Sequence, residues 1–144
     1  MLLVLVASGI GRLLPVNQIA YESEFPRGNY DLYLLDVLHR IRVPLTHTPY
    51  SERNPAWSPD GQYLAFASDV TGFWDIYIMS MARPFDAPYQ LTADDGRAMR
   101  PAWSPDGTKI AFDTTRDGNM ELYLLELSDT VEALMAANQP LDNL

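Results

Sequence analysis

Between residues 54 and 127 the apolar positions fall into short runs, alternating or continuous, rich in β-branched and aromatic residues and closed by Pro, Gly, Asp or Asn. Such runs are the pattern of strands. They predict strands at 54–57, 63–68, 74–81 and 89–92, then at 100–103, 109–114, 120–127 and, with the faintest pattern, 132–135. No segment before residue 129 reads as a helix. The stretch 129–138 fits a short helix as well as a strand, with Asp129 as N-cap, Glu132 completing a capping box and Asn138 near the stop.

The pattern repeats. PAWSPDGQYLAF at 55–66 returns as PAWSPDGTKIAF at 101–112. Trp57 and Trp103, Gly61 and Gly107, Phe66 and Phe112, and Tyr77 and Tyr123 are each 46 residues apart. An earlier, weaker copy aligns IAY at 19–21 with LAF at 64–66, and DLYLLDV at 31–37 with DIYIMSM at 75–81. Its opening motif is eroded to LLPVNQIAY at 13–21, where Pro15 alone keeps its place.

Turn chemistry explains the recurring letters. In Ser58-Pro59-Asp60-Gly61 and Ser104-Pro105-Asp106-Gly107, Pro presets φ near −65°, Asp bonds its own backbone and Gly relieves a positive φ. Each is a tight hairpin corner after Trp57 or Trp103. Asp117-Gly118-Asn119 is a second reversal, matched by Pro26-Arg27-Gly28-Asn29. Each unit therefore reads strand, tight turn, strand, short turn, strand, linker, strand. Four antiparallel strands in about 46 residues, repeated, are the arithmetic of a β-propeller, whose blades must stack to bury their faces. The expected fold is all-β: a partial β-propeller of about three four-stranded antiparallel blades.

AWSPDG, then IAF, then DIY or ELY, then LT resembles the WD-like repeat of TolB-type β-propellers over roughly 13–136. The resemblance implies blades at 13–50, 51–96 and 97–136, a leader or degenerate strand at 1–12, and a tail at 137–144. It also implies a non-enzymatic scaffold for protein–protein contact, periplasmic or secreted, because TolB docks lipoprotein and outer-membrane partners and its relatives are mostly exported. Related repeats form the non-catalytic propeller that gates prolyl-oligopeptidase-like serine peptidases, which is the alternative. A ligand- or glycan-binding propeller is a third. The domain that precedes the propeller in TolB is not expected within these residues, and three units cannot close a six-blade ring. The chain is expected either to derive from a longer propeller or to self-associate into a ring.

Composition narrows the partners. Nineteen acidic against ten basic residues give a net charge of −9, which opposes the phosphate backbone, so no nucleic acid is expected. With no cysteine, disulfides, zinc–thiolate sites and a thiol nucleophile are excluded. The apolar run Leu2 to Val6 followed by Ala7, Ser8 and Gly9 fits a truncated signal peptide lacking its basic leader, a buried strand, or a membrane anchor. It is too short for a transmembrane helix, which needs about 20 residues, so no integral span is expected.

Candidate chemistry is sparse. His39 and His47 match no metal spacing, and no G-x-S-x-G elbow surrounds a serine. Asp113, Asp117, Asn119 and Glu121 crowd one loop without the spacing of an EF-hand. No catalytic residue, metal site or cofactor is assigned. Phe73 and Trp74 break the repeat, standing opposite Asn119 and Met120, and are the candidate contact surface.

Overall fold

The computed structural model describes residues 17–24, 28–93, 96–127 and 131. Three antiparallel sheets follow one another along the chain. The first contains β1 (Gln18–Glu24), β2 (Tyr30–Asp36) and β3 (Ile41–Pro44). The second contains β4 (Glu52–Trp57), β5 (Tyr63–Ser68), β6 (Asp75–Ser80) and β7 (Tyr89–Gln90). The third contains β8 (Ala98–Trp103), β9 (Lys109–Thr114) and β10 (Glu121–Glu126). Strands pair in chain order within each sheet.

The middle sheet is the whole unit predicted from the pattern, strand for strand. By repeat alignment β1, β2 and β3 match β5, β6 and β7, while β8, β9 and β10 match β4, β5 and β6. The opening strand of the first unit and the closing strand of the third fall outside the described residues. So does the 129–138 segment apart from Val131, which is buried with the core between the second and third sheets.

The corners form as their residues dictate. Gly61 and Gly107 have φ of 67° and 73°, a region only glycine enters without strain. Asp60 Oδ1 accepts from the Ser58 hydroxyl at 2.6 Å and the Gln62 amide at 3.0 Å, while the Tyr63 amide donates to Ser58 Oγ at 2.9 Å. The third unit repeats these bonds: Asp106 Oδ1 accepts from Ser104 at 2.5 Å and the Thr108 amide at 3.0 Å, and the Lys109 amide donates to Ser104 Oγ at 3.0 Å.

The sheets pack face against face. One cluster unites Leu32 and Leu45 of the first unit with Leu64, Phe66, Tyr77 and Met79 of the second. Another unites Ala65, Ala67, Ile76 and Ile78 of the second with Ile110 and Phe112 of the third. The middle blade thus buries both faces, the division of labour expected of stacked blades. Trp103 spans the second junction, its indole Nε1 donating to Ala56 O at 3.1 Å.

Candidate functional site: the crossover rim

Strand register gathers one set of loops at one end. Glu52 pairs with Ser68 and Ser68 with Asp75, while Ala98 pairs with Thr114 and Thr114 with Glu121. The reversals after β1, β5 and β9 therefore lie at the same end as the crossovers entering β4 and β8, opposite the SPDG corners. Side chains and backbone stitch these loops together. Asn29 Nδ2 donates to Thr48 O and Tyr50 O, both at 2.9 Å. The Ser51 amide donates to Asp69 Oδ1 at 2.8 Å, and the Arg97 amide to Thr115 Oγ1 at 3.0 Å. On this braced rim Tyr50, Val70, Phe73 and Met120 are exposed.

The inner edge of the rim is basic. Asn54 and Arg100 have φ of 55° and 53°, each within a register shift of its inner strand. Such bulges re-aim side chains. Arg53, Asn54, Arg97, Met99, Arg100, Asp113 and Met120 line a cavity of about 230 Å³. Glu22 Oε1 accepts from Arg53 Nη2 at 2.8 Å and Nε at 3.1 Å, while its Oε2 accepts the Asn54 amide at 2.6 Å. The Glu22 carboxylate, through its bonds to the guanidinium and its charge, holds the Arg53 pKa above its usual value. The Arg53 guanidinium also lies 4.2 Å from the centre of the Tyr30 ring. Arg100 pairs with Asp113.

Between the first and second blades a crevice of about 350 Å³ includes Thr48, Tyr50, Glu52, Phe66, Tyr77 and Phe85 in its lining. Glu52 is buried, and the Thr48 hydroxyl donates to its Oε1 at 2.7 Å. Desolvation, with lesser repulsion from Asp31 and Asp69, raises its pKa. Burial and the charge of Asp75 push the Tyr77 phenol to about 12. Glu52 Oε2, the Tyr77 hydroxyl and both oxygens of Asp31 are buried without a hydrogen-bond partner among the described residues.

The repeat explains the contrast with Asp75, which occupies the position of Asp31. Asp75 Oδ1 accepts from Thr92 at 3.0 Å, and its Oδ2 from Thr71 at 2.9 Å and Gln90 Nε2 at 3.1 Å. Opposite Tyr33 stands Pro44 where Gln90 stands opposite Tyr77, so the first blade has no such amide donor. His47 Nδ1 lies 3.8 Å from Asp31 Oδ2.

The two residues singled out from the sequence part company. Phe73 is half exposed on the rim, whereas Trp74 packs on the core between the second and third blades, and its carbonyl accepts the Ala98 amide at 2.7 Å. Trp57 packs in the first junction and Trp103 in the second. His39 bonds Asp36 at 2.8 Å in the turn after β2, and its backbone and side-chain bonds lower the Asp36 pKa. In the acidic loop, Asp113 faces Arg100, Asp117 accepts the Tyr123 hydroxyl, and Glu121 accepts from Asn119 Nδ2 at 2.8 Å. Among the described residues no three of His, Asp and Glu are grouped to hold a metal ion. Sequence reasoning missed the rim arginines. The repeated placement of Arg53-Asn54 and Met99-Arg100 before Pro-Ala-Trp was the available signal.

Comparison with known proteins decides the family, since residues 15–140 match the TolB beta propeller domain, PD40. The chain belongs to this family. The solved structure of a TolB from Agrobacterium tumefaciens is similar at TM-score 0.67 and 27% identity over 78% of this chain and 40% of that one. TolB from Acinetobacter baumannii gives TM-score 0.65 and 23% identity over 77% of this chain and 27% of that one. A puromycin-hydrolyzing peptidase from Mycobacterium tuberculosis shares the fold at TM-score 0.54 and 18% identity, over 85% of this chain and 18% of that one. This TolB-family chain therefore spans well under half of each of these proteins. No curated protein matches it. Among the described residues no helix is long and apolar enough to cross a membrane.

Proposed function

We propose that this TolB-family chain is a non-enzymatic propeller platform that contacts protein partners through its crossover rim, in the periplasm or outside the cell. The observation that carries the reading is the exposure of Tyr50, Phe73 and Met120 on a hydrogen-bonded rim beside Arg53, Arg97 and Arg100. Aromatic residues, Met and Arg are the types enriched at protein interfaces. Loops braced by a rigid scaffold bind at little ordering cost. Membership of the TolB propeller family and the apolar run Leu2 to Val6 support the extracytoplasmic setting of this reading.

Photo-cross-linking tests the reading. A photoreactive side chain replaces Tyr50, Phe73 or Met120 on the rim, or Gln62 or Thr108 at the corner end, in chain exported to a Gram-negative periplasm. The expected result is discrete protein adducts from the rim positions alone. Equal labelling from both ends, or none from the rim, would contradict it.

A further inference from the structure

The junction between the first and second blades holds a carboxylate that the blade pattern does not require. Glu52 and Ala98 are each the first residue of an inner strand, 46 residues apart, and both are buried, at 3% and 1% exposure. Alanine therefore fills this place in the next junction. A buried charge without a cationic partner costs stability, so its presence in one junction alone calls for a reason. Glu52 Oε1 accepts the Thr48 hydroxyl at 2.7 Å, yet Oε2 has no hydrogen-bond partner among the described residues. Burial, with the charges of Asp31 and Asp69, raises its pKa against the pull of the Thr48 and Thr46 hydroxyls.

Glu52 stands in the wall of the crevice of about 350 Å³ between these two blades. The rest of that wall is mostly apolar and aromatic, with buried Phe66 and Tyr77 at its floor and Tyr50 and Phe85, 42% and 77% exposed, at its mouth. Among the described lining residues there is no lysine or arginine. His47, 3.8 Å from Asp31 Oδ2, is the one base among them, and Asp86 pairs with Arg83 at 3.3 Å. A concave, largely apolar wall with few polar groups is the form of a small-molecule site, and such sites begin at about 300 Å³.

We propose that this crevice binds a small aromatic amine in its protonated form, the ring lying between Tyr50 and Phe85 and the ammonium group held by the charge of Glu52. A carboxylate sunk in an apolar wall projects its field into the crevice, where water screens it less than at an open surface. Aromatic walls attract both a cation and a second ring. A metal ion is the poorer occupant, because among the described residues no three of His, Asp and Glu are grouped to hold one. An ammonium on an apolar stem is also the end of a lysine side chain, but four aromatic residues in the wall favour an aromatic body.

Titration of the 144-residue chain with phenethylamine at pH 7 tests this, followed by calorimetry and by NMR of the Glu52 carboxyl carbon. Saturable binding that shifts the Glu52 signal is expected, at least about tenfold tighter than that of 2-phenylethanol, which has the same ring and no charge. Glu52→Gln, which keeps the side-chain volume, weakens amine binding at least about tenfold, and Phe85→Ala at an exposed position weakens it about threefold or more. Circular dichroism checks that both variants are folded. No saturable binding, equal affinity for the alcohol, or an affinity unchanged by either substitution would overturn the proposal. Tighter binding of Nα-acetyl-lysine methylamide than of phenethylamine would assign the charge to a partner's lysine and overturn it as well.

Discussion

Asn54 and Arg100, 46 residues apart, share a left-handed backbone at the same bulge of successive inner strands. Left-handed backbone costs an L-residue other than Gly, Asn or Asp about 1–2 kcal/mol. Asn54→Gly is therefore expected to leave stability nearly unchanged, and Asn54→Val to lower it by about 2 kcal/mol. Urea denaturation of the two variants checks this, and equal losses would refute the bulge.

Glu22 ties the first blade to the second through Arg53 and the Asn54 amide. Hydrogen bonds to charged groups contribute about 1.5–3 kcal/mol each when buried, and the partly exposed setting of this pair reduces that. Glu22→Ala is expected to cost about 2 kcal/mol, measured as a lower urea midpoint with unchanged slope.

Gly96 has no room for a side chain: a Cβ there would meet Arg116 N at 2.5 Å. Because the obstacle is backbone, Gly96→Ala must shift the reversal before β10 and is expected to cost about 1–3 kcal/mol. A thermal midpoint equal to that of the parent would show that the crossover and the reversal do not meet.

The raised pKa of buried Glu52 has a signed consequence. The folded state keeps the carboxyl proton to higher pH than the unfolded chain. Its stability contribution is therefore complete below the unfolded value of 4.5 and is lost as pH rises through the folded value. Glu52→Gln keeps an acceptor for Thr48 and removes the buried charge. The variant should exceed the parent in stability by most at pH 7, with the gap closing toward pH 4. A gap independent of pH would contradict the burial of the carboxylate.

Asp106 carries the opposite shift, to about 2, caused first by the Ser104 hydroxyl and then by the Thr108 amide and hydroxyl. Carboxyl-carbon NMR should find it titrating near that value. Ser104→Ala should move it back toward 3.8.

The blade pattern was legible where structure is local. Strands at 63–68 and 109–114 match β5 and β9 residue for residue, because SPDG corners settle where each begins. The inner strands begin earlier than predicted, at Glu52 and Ala98, because the left-handed bulge interrupts the alternation that would announce them. β7 ends at Gln90 rather than 92 because the Thr92 hydroxyl, not its backbone, takes the Ile76 amide at 2.9 Å. The rim was not legible. It arises where Ser51 meets Asp69 and Arg97 meets Thr115, contacts 18 residues apart that exist only once the blade has folded.

The repeats stack as consecutive blades with their inner strands side by side, and the Trp103 indole reports on this stacking most directly. Its Nε1–H reaches Ala56 O of the preceding blade at 3.1 Å. Nitrogen-edited NMR should show this indole proton exchanging slowly with solvent and in nuclear Overhauser contact with Ala56. Fast exchange with no contact to Ala56 would mean that the inner strands do not lie together and that the units are not stacked blades.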